Sequence, residues 1–173
     1  MADRAHLIAV TDALNQTTKS SVEQNMIDIK DMEVKYVSIF GAESCGDGEV
    51  ARVEAALDIT LPSDLKEIAK FYSGGFLGGI SHYEIAVAGE AKNIVQQTLK
   101  VRAAIGLERN FVILAEPAGS IIVLNVLGNP SVIWCDAVDA ENLNSKKFAN
   151  APDEWGTYSS FFSYLLDQQE ENS

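Results

Sequence analysis

Three apolar runs in the second half of the chain are joined by links of only a few residues, and no other feature restricts the fold as much. Phe111–Ala115, Ser120–Leu127 and Val132–Cys135 are rich in β-branched and aromatic side chains, and the turn segments Pro117-Ala118-Gly119 and Gly128-Asn129-Pro130 separate them. Parallel strands need a crossover of a dozen residues or more, so strands linked this closely run antiparallel. In Ile121–Leu127 both alternating faces are apolar except at Asn125. Such a strand sits centrally, covered on both sides.

Helical spacing dominates upstream. Asp47 is placed to cap a short helix carrying Val50, Val53 and Leu57 on one side. Leu61-Pro62-Ser63-Asp64 restarts the chain, and proline is tolerated in a first helical turn because its missing N–H has no partner there. Leu61, Leu65, Ile68 and Tyr72 form one apolar stripe, with Asp64 and Glu67 early, where the helix dipole favours negative charge. Ser73-Gly74-Gly75 ends that helix, since glycine readily adopts the left-handed conformation of a C-terminal cap.

A strand is expected over His82–Val87. A second helix is expected over Glu90–Ile105, with Ala91, Ile94, Val95 and Leu99 inward and Gly106 as terminator. Tyr158, Phe161, Phe162 and Leu165 make a closing helical stripe. Near the N-terminus, Leu7, Val10 and Leu14, and again Val22, Met26 and Ile29, fall at helical spacing, whereas Val34–Phe40 alternates like a strand. Helices first, a meander later and a closing helix give an α+β domain, an antiparallel meander packed with several helices.

The chain of 173 residues is 47% hydrophobic and 22% charged, enough to build one core without metal or disulfide staples. Its two cysteines, Cys45 and Cys135, form no CxxC and read as reduced thiols. The first residues lack a basic region followed by an apolar stretch, and no apolar run has the length of a membrane span, so a cytoplasmic location is expected. The net charge is −12. That balance repels phosphate backbones and disfavours nucleic-acid binding, while suiting a basic protein partner. Residues 133–173 hold eight carboxylates against two lysines.

Catalytic patterns are missing. His6 and His82 are the only imidazoles, no GxSxG elbow occurs, and His and Cys lack chelating spacing. No DxDxDG calcium loop is present. Gly74-Gly75-Phe76-Leu77-Gly78-Gly79 is glycine-rich but lacks the lysine and hydroxyl of a phosphate loop. It follows a helix, whose negative end would repel phosphate. It reads as tight turns between helix and sheet, or as a loop presenting Phe76 and Leu77. Trp134, Asp136, Asp139 and Glu141 form an acidic strand end beside an aromatic. Charge complementarity speeds encounter and selects partners, and buried aromatic anchors supply affinity. Phe76, Leu77, Trp134, Asp136, Asp139 and Glu141 are therefore the candidate partner contacts.

The stretch Val50–Gly75, VARVEAALDITLPSDLKEIAKFYSGG, resembles the opening motif of the SMI1/KNR4 family of the SUKH superfamily: a short helix with Glu, Leu-Pro, a polar pair, an amphipathic helix, then Gly-Gly. Glu54, Leu61, Pro62, Asp64, Leu65, Phe71, Gly74 and Gly75 fill it. Ile113–Val126 is similar to the family's strand pair around a glycine turn, Val132–Asp136 to its next strand and Phe161–Leu166 to its closing helix. The organisation expected is an N-terminal extension over 1–45 packed on the domain, the SMI1/KNR4-like domain over 46–168 and a polar tail over 169–173. The resemblance implies a compact α+β domain without a catalytic set or cofactor. Bacterial members resemble immunity proteins that bind and neutralise a polymorphic toxin, often a nuclease. The long disordered flanks of the fungal cell-wall regulators have no counterpart here. The alternative is a regulatory or adaptor module without a toxin partner. A hydrolase would need a deep pocket with two inward carboxylates.

Overall fold

A computed structural model describes residues 29–89 and 92–171. Helix α1 covers residues 29–40, followed by α2 (Asp47–Leu57), α3 (Ser63–Ile68), the strands β1 (Gly75–Leu77) and β2 (Ile80–His82), and α4 (Ile94–Ile105). Then come β3 (Phe111–Ala115), β4 (Ser120–Asn125), β5 (Val132–Asp136), a 3-10 turn over Ala137–Asn142, β6 (Asp153–Trp155) and α5 (Tyr158–Glu171). β1 and β2 form a hairpin; the other strands make one antiparallel sheet in the order β3-β4-β5-β6. The expected α+β class and meander hold.

The sheet is covered on both faces. Val112, Leu114, Ile122, Leu124 and Val132 pack with Leu61, Leu65, Tyr72, Phe161 and Phe162 of the helical side. Ile113, Ile121, Val123, Ile133 and Cys135 form a second core with Leu107, Leu143 and the end of α4. Asn125, the polar exception in β4, is buried: its Nδ2 donates to Pro130 O (3.1 Å), and its Oδ1 accepts from Asn110 Nδ2 (3.0 Å). It thereby pins the β4–β5 turn.

Several boundaries differ from expectation. Residues 34–40 are helical, not extended. A helical period puts Ile29, Met32 and Tyr36 against the domain and leaves Val34 65% exposed, where an alternating strand would bury it. Tyr36 then stacks among Phe71, Tyr72 and Phe162. The helices proposed from Leu7 to Met26 lie outside the described residues. Gly46, not Asp47, occupies the N-cap of α2. Pro62 is the N-cap of α3, which ends at Ile68, with looser turns carrying the chain on to Tyr72.

The strand expected over His82–Val87 is displaced to Ile80–His82. Gly78 and Gly79, with φ of 59° and 78°, close a two-residue hairpin, and pairing begins beside it. The glycine-rich segment is thus largely a hairpin. α4 begins at Ile94 because Asn93 caps it, its Oδ1 accepting the Gln96 N–H at 2.9 Å. Ala91 lies outside the described residues. Leu99 is 47% exposed, since Ile94, Val95 and Thr98 define the buried stripe and Leu99 falls off it. β4 stops at Asn125, leaving Leu127 exposed. α5 continues through Glu171, past the boundary expected at 168.

Candidate partner-binding face

The residues of the opening motif are engaged in the fold itself. Glu54, on α2, accepts the Leu61 N–H at 2.7 Å and pairs with Lys66 Nζ at 2.6 Å. The Lys66 contact, helped by the Leu61 N–H and opposed by partial burial, holds its carboxyl below the usual range. It clamps the α2–α3 link, where Pro62 offers no N–H of its own. Asp64 is 7% exposed, with Oδ1 accepting the Leu65 N–H at 3.0 Å and Oδ2 the Ser159 N–H at 2.8 Å. A residue of α3 thus serves the start of α5, 95 positions away. Thr157 and Ser160 complete that helix start reciprocally, each side chain accepting the other's backbone N–H. Leu61, Leu65 and Phe71 are core. Gly74 has φ of 108°, and a Cβ there would stand 2.6 Å from the Tyr83 carbonyl oxygen. Gly75, also at positive φ, opens β1.

The candidate contact residues divide. Phe76 is 61% exposed on the hairpin, whereas Leu77, the next residue of the strand, is fully buried and belongs to the core. Leu77 is withdrawn as a contact because strand alternation turns it inward. Trp134 is half-buried on β5, its Nε1 donating to Ser120 Oγ at 2.8 Å. Asp136 is exposed and accepts from Asn150 Nδ2 at 2.8 Å; Glu141 is exposed.

Asp139 is 2% exposed. It accepts from Asn142 Nδ2 at 2.9 Å and from the Ala149 N–H at 3.0 and 3.1 Å. The Asn142 amide, then the Ala149 N–H, hold its carboxyl below the usual range against the opposing effect of desolvation. Its charge organises the 142–150 loop from within, so it too is withdrawn as a contact. Burial, reinforced by the charges of Asp139 and Asp136, pushes the Cys135 thiol up to about 11. Among the described residues no hydrogen bond or ring contact joins Phe76 to the Trp134 group, and the two stand on different sheets.

Two features of this face escaped the sequence reading. β6 adds Asp153 and Glu154, both exposed, with Asp153 directly opposite Trp134 in the ladder. Val138, between Asp136 and Glu141, is 80% exposed. Asp136 and Asp153 therefore share the sheet face of the half-buried Trp134 indole, Glu154 stands on the opposite face of β6, and the exposed Val138 and Glu141 lie on the 3-10 turn that follows β5. The flanking Pro152 and Gly156 punctuate β6, but three residues are too few for an alternation to register.

Elsewhere the imidazole of His82 is enclosed by packing. His82 is 8% exposed between the rings of Tyr72 and Phe161. Burial lowers it to about 4, which the nearby Gly75 and Ile80 backbone offsets only in part, and neither ring nitrogen makes a hydrogen bond of normal geometry. An open groove of about 690 Å³ runs between α1 and α5, where Lys35 bridges Asp167 (2.9 Å) and Glu170 (3.1 Å). The two buried carboxylates, Asp64 and Asp139, serve separate backbone segments. Among the described residues no group of three His, Cys, Asp or Glu is disposed to hold a metal ion, and no helix is long and apolar enough to cross a membrane.

The joints of the opening motif are thus internal to an α+β domain, and the exposed carboxylates gather around the end of β5 and on β6. The model of the SMI1 / KNR4 family (SUKH-1) matches residues 44–165, and the chain belongs to that family. Comparison with curated proteins gave no match.

Proposed function

We propose that this protein is an immunity protein that neutralises a cognate polymorphic toxin by stoichiometric binding. One observation carries the reading. In a member of the SMI1/KNR4 family, the exposed strand end around Trp134 and Val138 carries Asp136, Glu141 and Asp153, with Glu154 on the other side of the adjoining edge strand, none of them in an ion pair among the described residues. A nuclease toxin needs a basic cleft for phosphate, and an acidic surface competes for it. The carboxylates accelerate encounter, and the apolar centre supplies the contacts that slow dissociation. The buried carboxylates Asp64 and Asp139 are engaged by N–H groups of the fold itself and face no shared cleft, which favours binding over turnover.

The test is co-expression with the toxin encoded beside this gene. The expected result is restored growth and a stoichiometric complex on gel filtration that weakens as salt rises. A fully active toxin with no complex would refute the reading for that partner.

A further inference from the structure

We infer that the outer edge of β6 is a docking site for an extended, basic segment of the partner, which joins the sheet as a fifth strand. The inference deepens the reading above, on which it rests for the partner's biological identity. Its physical basis is the edge itself. β6 ends the order β3-β4-β5-β6, and among the described residues no backbone group beyond β5 and the adjoining Ser131 pairs with it. The opposite edge is covered: the Leu114 carbonyl of β3 accepts the Tyr83 N–H at 2.9 Å, and the Ile113 N–H donates to Thr98 Oγ1 at 2.9 Å. Among the described residues one edge is closed and one is open.

The side chains at the open edge select the occupant. Register places Trp155, Glu154 and Asp153 opposite Val132, Ile133 and Trp134. Asp153 therefore lies on the face that carries Trp134, and Glu154 on the other. A strand laid against β6 meets a carboxylate on each face at successive positions. Charged edge residues ordinarily protect a sheet from pairing with neighbours. Here the edge charge is all of one sign, with Asp136 at the adjoining strand end, and among the described residues no lysine or arginine is ion-paired to any of them. A second copy of this chain would bring Asp153 and Glu154 against their own like charges, which is unfavourable in directly opposed cross-strand pairs. A neutral strand would desolvate them without compensation. A strand carrying Lys or Arg at consecutive positions matches both. Main-chain bonds then provide attachment and side chains provide selectivity, the general logic of strand addition.

The probe is an acetylated, amidated hexapeptide of alternating lysine and arginine, added to the full chain, with amide hydrogen exchange read residue by residue. The expected result is at least about tenfold slower exchange in the Asp153–Trp155 segment, a backbone-pairing signature that diffuse charge attraction does not produce. A hexaglutamate peptide should leave exchange unchanged. The lysine–arginine peptide N-methylated at alternate amides should lose the protection while keeping its charge. Because both residues are exposed, D153K/E154K should fold with an unchanged melting temperature and bind the basic peptide at least about tenfold more weakly. D153N/E154Q provides a milder variant should the first fail to fold. Binding without protection at β6, equal protection by the methylated peptide, or undiminished binding to the folded variants would overturn the docking site. None of these outcomes bears on the immunity reading, which toxin neutralisation decides separately.

Discussion

Replacing Asp64 by alanine removes the acceptor that joins the opening motif to the closing helix. The Ser159 N–H, now bonded at 2.8 Å, is left without that partner in a residue only 6% exposed. A hydrogen bond to a charged group contributes roughly 1.5–3 kcal/mol, and loss of a helix-capping acceptor costs about 1 kcal/mol in typical cases. The two descriptions overlap, since the same bond does both jobs, so D64A is expected to cost about 3 kcal/mol rather than their sum. With a urea slope of about 2 kcal/mol/M, the unfolding midpoint falls by roughly 1.5 M. D64N keeps an acceptor oxygen and loses the charge, and should cost about half as much. Equilibrium urea unfolding followed by tryptophan fluorescence and by far-UV circular dichroism reads both variants. A D64A midpoint within about 0.3 M of the unmodified protein's would refute the claim that this carboxylate ties α3 to α5.

Other expectations follow the same physics. His82 has a folded-state value near 4 against 6.5 for an ordinary imidazole, so the unfolded chain binds the extra proton between those values. Stability is full above about pH 6.5 and falls on acidification towards pH 4, by up to about 3 kcal/mol; H82L should flatten that slope in urea titrations at stepped pH. Glu54, held below its usual range, adds a further loss under more acidic conditions as it protonates in the folded state. G74A meets the Tyr83 carbonyl at 2.6 Å as well as a positive φ, and should cost about 3 kcal/mol, whereas G79A, with open space around it, should cost about 1 kcal/mol; comparable Tm shifts for the two would contradict this. Cys45 and Cys135 are both buried, and the Cys135 thiol is raised as well, so a thiol reagent at pH 8 should label them rapidly only after denaturation.

The meander was legible because strand length and turn chemistry agree: β3 coincides with its apolar run, and β4 and β5 differ only at one end. The opening motif was legible as a pattern but not as a mechanism. Nothing in the spacing of Asp64 and Ser159 announces a bond between them, since that contact is created by the fold. Leu99 and Val34 misled for a common reason: an apolar side chain marks a buried face only when its neighbours at helical spacing share it. Leu77 and Asp139 misled differently. A glycine-flanked Phe-Leu pair does not tell which member points inward, and a carboxylate in an acidic run looks solvated until the loop that wraps it is seen. β6 is too short to register at all, although Asp153 on it completes the candidate face and Glu154 lines the opposite side of the same edge.

The bond from Asp64 to Ser159 spans most of the family domain, and this governs the sequence of events in vectorial synthesis. Phe71 and Tyr72 emerge from the ribosome long before Phe162, the ring that finally packs against both. Until then a greasy aromatic surface stays wet, with a carboxylate beside it waiting for a helix that has not been made. The nascent chain therefore carries its own latch from early on, but the latch closes last.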